Sequence, residues 1–240
     1  MKKRKIGYTY SSVSGHFAFR KQKSIAFEST LERDLITILE FNSSVYDVTE
    51  QPVTIEYVNK NGRNVTYTPD FLVIFNDPNN LIHSTKISRK PWLIEVKPRD
   101  VLIKKYEELK PKFKIAMKYA KENDMIFKIF DESRIRTDYL KRIQFLNRYK
   151  NMEIEWWWKE WVFSGLDSLG GHSTIDELLV FKFRGGTVDK LLALGVIYHL
   201  IVNKIINTDI TENLNYQTKI WINYEHSSYI NYSEIGRAHV

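Results

Sequence analysis

Apolar residues in the first two-thirds of the chain recur with a helical period in three segments. The first segment follows Ser29 and Glu32, whose spacing is that of a capping box at a helix start. Its apolar positions fall on one helical face and are Leu31, Leu35, Ile38 and Leu39. Residues 101–123, which contain Pro111, and residues 138–148 continue the helical pattern. A proline inside a helix removes a hydrogen bond, so we expect a break or kink at Pro111.

Between these helices the apolar residues alternate or run in short stretches, which predicts strands. Residues 53–57 and 65–75 flank an Asn61-Gly62 turn and predict a hairpin with Pro69 in its second strand. Residues 92–97 and 125–130 read as two further strands. The order helix, hairpin, strand, helix, strand, helix indicates a mixed α/β domain built on one sheet over residues 1–150.

The pattern changes after residue 150. Tryptophans at 156–158 and 161 lie in a helical run, Thr174 and Glu177 form a second capping box, and two short strands follow. This order predicts a small winged-helix-like domain over residues 151–225. Residues 226–240 are expected to be a tail that is partly non-native, because the last seven residues continue no pattern and resemble translated adapter sequence.

Composition excludes several classes of protein. The 240 residues include no cysteine, which rules out disulfide frameworks, thiolate metal sites and a cysteine nucleophile. No apolar stretch reaches the ~20 residues needed to span a bilayer. No apolar signal core follows the basic start at residues 1–5. We therefore expect a cytoplasmic protein without a membrane partner.

Charge is distributed unevenly along the chain. Residues 1–23 carry a net charge of +7 and are expected to form a basic N-terminal arm, and residues 99–150 carry another +7. Residues 24–98 carry −3 and residues 151–240 carry −4. A polyanion should therefore contact the first two-thirds of the chain. The tryptophan-rich, acidic C-terminal part is more typical of a protein-docking surface.

The chemistry-bearing pattern is Pro69-Asp70 followed 25 residues later by Glu95-Val96-Lys97. Glu95 and Lys97 lie two apart on a predicted strand, so their side chains emerge on the same face. Two carboxylates brought together repel each other, and a divalent cation removes that repulsion. Hard oxygen ligands favour Mg²⁺, with Mn²⁺ as a possible substitute. The lysine would hold or polarise a water for attack on a phosphodiester.

Four sequence blocks, in order, make the resemblance to one family specific. They are Phe27-Glu-Ser-Thr-Leu-Glu-Arg-Asp34, Val48-Thr-Glu-Gln-Pro-Val53, Tyr67-Thr-Pro-Asp-Phe-Leu-Val73 and Ile94-Glu-Val-Lys-Pro98. Together they resemble TnsA, the endonuclease subunit of heteromeric bacterial transposases. The resemblance covers residues 25–150 well and residues 151–225 in outline.

The resemblance implies a restriction-endonuclease-like mixed sheet flanked by helices, with a winged-helix-like C-terminal domain. It implies catalytic roles for Glu32, Asp70 and Lys97. Glu95 occupies a position where this family can have glutamine, so either the Glu95 carboxylate or the Val96 carbonyl could be the metal ligand beside Glu32 and Asp70. Two neighbours stay open: Glu28 as a competitor of Glu32, and Gln51 as a further site residue.

The function implied is a Mg²⁺-dependent DNA endonuclease that cuts the 5′ ends of a transposon in double-stranded DNA. The implied partners are a DDE-type transposase subunit, TnsB, and an AAA+ ATPase regulator, TnsC. Two alternatives remain at this point: a stand-alone restriction-like or structure-specific nuclease, and a non-catalytic DNA-binding adaptor.

Overall fold

The computed structural model describes residues 13–76, 89–182 and 187–224. These residues form two compact units, Met1–Leu140 and Lys141–Val240. The division falls within one helix, whereas the sequence placed the boundary at residue 150. Most of the basic arm and the expected tail lie outside the described residues. Within them, no helix is both long and apolar enough to cross a membrane.

The first unit combines strands and helices, as the sequence predicted, and has three further strands, at residues 15–19, 23–27 and 45–50, that the sequence analysis did not predict. Its strands are β1 (Gly15–Phe19), β2 (Lys23–Phe27), β3 (Val45–Glu50), β4 (Ile55–Val58), β5 (Asn64–Tyr67), β6 (Phe71–Phe75), β7 (Trp92–Val96) and β8 (Ile126–Phe130). Its helices are α1 (Thr30–Phe41), α2 (Arg99–Lys104), α3 (Tyr106–Glu122), α4 (Glu132–Ile135) and α5 (Asp138–Asn147), the last continuing into the second unit.

The central sheet of the first unit is mixed and has the strand order β3-β6-β7-β8. The β3–β6 and β6–β7 pairs are antiparallel, and the β7–β8 pair is parallel. Ile94 and Val96 of β7 belong to the apolar cluster that contains Leu35 of α1, while Phe127 of β8 packs with Phe113 of α3. A mixed sheet with helices packed on it agrees with a restriction-endonuclease-like fold.

The predicted strand over residues 65–75 is two strands in two different sheets. Residues 64–67 pair with β4 in a two-stranded hairpin, and residues 71–75 join the central sheet. The chain crosses between the sheets at Thr68–Asp70, because Pro69 has no N–H to donate to a strand ladder. The crossing places Asp70 immediately before β6.

Two other local expectations differ from the structure. The long helix is interrupted at Lys105, between α2 and α3, and Pro111 lies inside α3. Pro111 leaves the carbonyl of Glu107 without its helical partner, but Glu107 is exposed and water can bind that carbonyl. Residues 15–27 form the β1–β2 hairpin, whose tip residues Arg20 and Lys21 adopt positive φ angles of 50° and 58°.

The second unit combines three helices with a small antiparallel sheet. The elements are α6 (Trp156–Ser168), β9 (His172–Thr174), α7 (Ile175–Lys182), α8 (Thr187–Val202), β10 (Ile206–Thr208) and β11 (Lys219–Ile222). The sheet order is β10-β11-β9. The predicted capping box is present, since Thr174 Oγ1 accepts the Glu177 N–H and the Glu177 carboxylate accepts the Thr174 N–H.

Candidate active site

Three of the four sequence blocks meet at one end of the central sheet because of strand register. Phe71 lies opposite Glu50 on one side and Ile94 on the other. Asp70, which precedes β6, therefore lies beside the end of β3 and the end of β7. Two hydrogen bonds hold it there: its carbonyl accepts the Gln51 N–H at 2.8 Å, and its Oδ2 accepts the Val96 N–H at 2.6 Å.

Glu95 is a carboxylate inside the protein, with only 2% of its surface exposed. A buried charge is costly unless it is paired and hydrogen-bonded. Both Glu95 oxygens meet that requirement, since Oε1 lies 2.8 Å from Lys97 Nζ and Oε2 accepts a hydrogen bond from the Tyr67 hydroxyl at 2.5 Å. The side chain is thereby held in one orientation.

Lys97 joins the two carboxylates. Its Nζ lies 3.7 Å from Asp70 Oδ2 and donates a hydrogen bond to the Val96 carbonyl at 3.2 Å. Burial by itself lowers the pKa of Lys97, but the negative charges of Asp70, Glu95 and Glu32 outweigh burial and raise it. The Lys97 side chain is therefore an ammonium ion at neutral pH.

Asp70 experiences the opposite balance. Burial raises its pKa well above the usual range for an aspartate, and the charges of Glu95 and Glu32 raise it further. The Lys97 charge and the hydrogen bond from Val96 lower it, without cancelling the rise. The positive charge of Lys97 therefore does not fully offset the effect of burial and of the Glu95 and Glu32 charges on Asp70.

Glu32 forms the capping box that its spacing from Ser29 predicted. The Ser29 hydroxyl accepts the Glu32 N–H at 3.1 Å and donates to Glu32 Oε1 at 2.9 Å, while Oε2 accepts the Glu28 N–H at 2.8 Å. Burial raises the pKa of Glu32, and its charge acts on both Asp70 and Lys97. Glu32 is therefore coupled to the cluster electrostatically, while its oxygens bond within the capping box.

Gln51 and Glu28 lie on the side of the site nearest α1. The backbone of Gln51 adopts a positive φ of 45°, and its side-chain Nε2 donates to Glu28 Oε1 at 3.2 Å. Its backbone N–H supports Asp70, as described above. Gln51 thus contacts the site through its main chain, and Glu28 contacts Gln51 and the turn that precedes α1.

The oxygen atoms at this end of the sheet are chemically suited to bind a hard divalent cation. The carboxylates of Asp70 and Glu95 and the carbonyl of Val96 are oxygen ligands of the type that Mg²⁺ prefers. Burial, together with the charges of Glu95 and Glu32, raises the pKa of Asp70, and a bound cation would favour its ionised form. Across residues 13–76, 89–182 and 187–224, no group of three or more His, Asp or Glu side chains is arranged to hold a metal ion.

The sequence reasoning missed Tyr67. Its ring is buried in the apolar cluster that includes Ile55 and Ala116, and its hydroxyl reaches Glu95. Burial and the negative charge of Glu95 raise the pKa of Tyr67, so the hydroxyl remains a hydrogen-bond donor. The residue stands in the Tyr67-Thr-Pro-Asp block, but the direction of its hydroxyl depends on how the hairpin packs.

Tyr67→Phe is expected to destabilise the protein by about 1–3 kcal/mol, because Glu95 loses one of its two partners while the ring still packs. Urea unfolding would measure the change. Tyr57→Phe is the matched control, since Tyr57 packs in the same cluster and its hydroxyl forms no hydrogen bond to the described residues. Equal effects of the two substitutions would contradict a stabilising role for the Tyr67 hydroxyl.

Comparison with known families bears on the same residues. Residues 42–132 match the family model described as "TnsA-like endonuclease N terminal". This range contains Asp70, Glu95 and Lys97, and Glu32 precedes it. No curated protein matched the chain. The three sequence blocks that lie in this range therefore have the resemblance that the sequence indicated, and residues 42–132 are similar to the TnsA-like endonuclease N-terminal domain.

Proposed function

We propose that the protein is the Mg²⁺-dependent DNA endonuclease subunit of a heteromeric transposase and cuts the 5′ ends of a transposon. The observation that carries the proposal is the joined Asp70, Glu95 and Lys97 cluster within a TnsA-like endonuclease domain. Mn²⁺ is the proposed substitute for Mg²⁺. The protein would act in the bacterial cytoplasm, in association with DNA.

Asp70, Glu95 and the Val96 carbonyl would hold the Mg²⁺ ion, with Glu32 joining from α1. The bound ion would supply Lewis-acid stabilisation of the charge that develops on the scissile phosphate. For Glu32 to take part, its oxygens would have to leave Ser29 and the Glu28 N–H, which they now contact.

The protein's own residues have separate tasks in hydrolysis. Lys97 carries a proton at neutral pH and is held 2.8 Å from Glu95, so its ammonium group can orient the attacking water or a phosphate oxygen. The Val96 N–H fixes the Asp70 carboxylate at the strand end. The Tyr67 hydroxyl fixes Glu95. Each reacting group is therefore oriented before substrate arrives, which lowers the entropic part of the barrier.

The proposed substrate is double-stranded DNA at transposon ends. Residues 99–150 carry a net charge of +7, which favours binding to the phosphate backbone. The proposed protein partners are a DDE-type transposase subunit of the TnsB kind and an AAA+ ATPase of the TnsC kind. Their support is the TnsA-like domain, because a TnsA endonuclease works within a heteromeric transposase.

We also propose that residues 151–225 form a winged-helix-like module that docks a partner protein. The element order α6-β9-α7-α8-β10-β11 and the antiparallel order β10-β11-β9 support the winged-helix assignment. The net charge of −4 over residues 151–240 argues against a dominant DNA contact. Trp156 and Trp157 expose 70% and 41% of their surface, which is typical of residues that concentrate binding energy.

Two alternative functions make different experimental predictions. A stand-alone restriction-like or structure-specific nuclease would cut DNA without any transposase. A non-catalytic adaptor would bind DNA and cut under no condition. The pairing of the buried Glu95 carboxylate with Lys97 favours a catalytic protein over an adaptor, because a buried carboxylate is costly without use.

Asp70→Asn should reduce DNA cleavage in the presence of Mg²⁺ and the transposase subunits by at least about 100-fold, since charge stabilisation by a bound metal is worth several kcal/mol. Asp47→Asn is the matched control, because Asp47 lies on β3 and pairs with Lys23. Cleavage of end-labelled transposon DNA is the measurement. Full activity of the Asp70 variant would refute the proposed site.

Asp70→Asn should increase the stability of the protein, although it lowers DNA cleavage. Because the folded-state pKa of Asp70 is raised, its ionisation opposes folding, and this cost appears as pH rises above the unfolded value of about 4. In EDTA at pH 7, Asp70→Asn should raise the melting temperature by roughly 2–4 °C, the shift that about 1 kcal/mol produces. The difference should vanish below pH 4. Mg²⁺ should stabilise the wild type and leave the variant unchanged; stabilisation of both proteins alike would place the ion elsewhere.

Trp156→Ser with Trp157→Ser, in the full chain, should weaken binding to a partner subunit by at least about tenfold, because exposed aromatic anchors dominate docking energies. DNA cleavage by the assembled transposase should fall with it, while duplex binding by the isolated protein should not change. Trp221→Ser, which removes a 39%-exposed tryptophan from β11, is the control. Loss of duplex binding with normal partner binding would show that this unit contacts DNA instead.

A further inference from the structure

The β4–β5 hairpin begins at the candidate active site and leads away from it. Its register runs from the Ile55–Tyr67 pair to the Val58–Asn64 pair. Tyr67, at its base, is the residue that contacts Glu95. Arg63 lies four positions before Tyr67, so the tip is roughly 13 Å along the strand from Tyr67.

The hairpin tip is held by its own hydrogen bonds. The Asn59 N–H donates to the Arg63 carbonyl at 2.9 Å, and the Gly62 N–H donates to the Asn59 carbonyl at 3.0 Å. The Asn59 side chain accepts the N–H groups of Asn61 and Arg63 at 2.9 and 3.1 Å. Gly62 supplies the positive φ of 70° that the turn requires. A preorganised tip loses little conformational entropy on binding.

Two cations project from this ordered tip. Lys60 and Arg63 are both exposed. Within the part of the chain that the structure describes, neither side chain forms an ion pair. Their charges are therefore available to an external anion.

Helix α3 contributes further lysines beside the hairpin. Two adjoining clefts, with volumes of about 430 and 500 Å³, separate the hairpin from the first turns of α3 and share Asn59, Lys60 and Glu107. Lys110 and Lys114 line the first cleft and Lys112 lines the second. Glu107 lies 3.7 Å from Lys110 and Glu108 lines the second cleft, so four lysines face two glutamates. The lining carries a net positive charge, which fits a phosphate backbone.

We propose that the β4–β5 hairpin enters a groove of the duplex beside the scissile phosphodiester. Lys60 and Arg63 contact the DNA from the tip, and the lysines of α3 hold the adjacent phosphates in the clefts. A two-stranded ribbon fits the major groove, which is about 12 Å wide. The proposal rests on the proposed endonuclease function and adds the element that positions the duplex. An acidic protein segment is the competing occupant, and the first experiment below distinguishes it.

The first test measures duplex binding by the full chain in an Asp70→Asn background, so that no cleavage occurs. Lys60→Ser with Arg63→Ser should weaken binding about 10- to 100-fold at low salt and reduce the slope of log K against log salt by about 2. Lys118→Ser with Lys121→Ser is the matched control. It removes the same charge from the other end of α3 and should change affinity less than about threefold.

The outcomes separate the two proposals. Equal losses in the hairpin and control variants would overturn the hairpin proposal alone. Normal duplex binding with loss of a transposase partner would assign the surface to a protein and overturn it too. Absence of duplex binding by the Asp70→Asn parent and by the wild type in Ca²⁺ would overturn both this proposal and the proposed function.

The second test uses the absence of cysteine from the 240-residue chain. Asn61→Cys introduces a single thiol at the tip, to which an iron chelate that generates hydroxyl radicals can be attached. Strand scission should centre about four base pairs from the enzyme's own cut, because 13 Å corresponds to about four steps of 3.4 Å. A chelate at Lys118→Cys should not cut there. Scission from the Lys118 position alone would place the duplex away from the hairpin.

Discussion

The arrangement of the site depends on the buried carboxylate of Glu95, at the end of β7, which needs hydrogen-bonding partners. Glu95 is almost inaccessible to water, so both of its oxygens require partners from the protein. Lys97, two residues further along the chain, contacts one oxygen of Glu95. Tyr67, in the hairpin, donates a hydrogen bond to the other. Lys97, the hairpin base and the central strand are thereby linked through one side chain. Stability and the proposed chemistry depend on the same two contacts.

The crossing at Thr68–Asp70 connects the hairpin that carries Tyr67 to the central sheet that carries Glu95. Because Pro69 ends one ladder, the chain passes from the β4–β5 hairpin into the central sheet, and Asp70 falls at the point of transfer. Its carbonyl is tied to Gln51 and its carboxylate to Val96. A displacement of the hairpin would therefore move Tyr67 and Asp70 together. This coupling gives a physical reason why a DNA-contacting hairpin could position the substrate relative to the reacting groups.

Glu32 shows that a structural role and a proposed catalytic role can reside in one side chain. Its carboxylate stabilises the start of α1 through Ser29 and Glu28, and its charge also raises the pKa of Asp70 and of Lys97. The capping interactions hold the Glu32 carboxylate near the Asp70 carboxylate, which repels it. Burial increases the free-energy cost of keeping both groups ionised. A cation bound near Asp70 would lower that cost. The helix start is thus a source of charge close to the site and not only a local cap.

The sequence alone determined α1, β7, β8, the capping boxes at Ser29 and Thr174, and the pairing of Glu95 with Lys97, because each depends on local spacing. It did not predict β1, β2 or β3. Its four blocks also indicated the resemblance that the family match over residues 42–132 supports. The break at Thr68–Asp70, the Val96 N–H bond to Asp70 and the Tyr67 hydroxyl bond to Glu95 were decided by the tertiary structure. These contacts join residues 26 and 28 positions apart. Their geometry depends on strand register and on how the hairpin packs, and neither can be read from the spacing of residues along the chain.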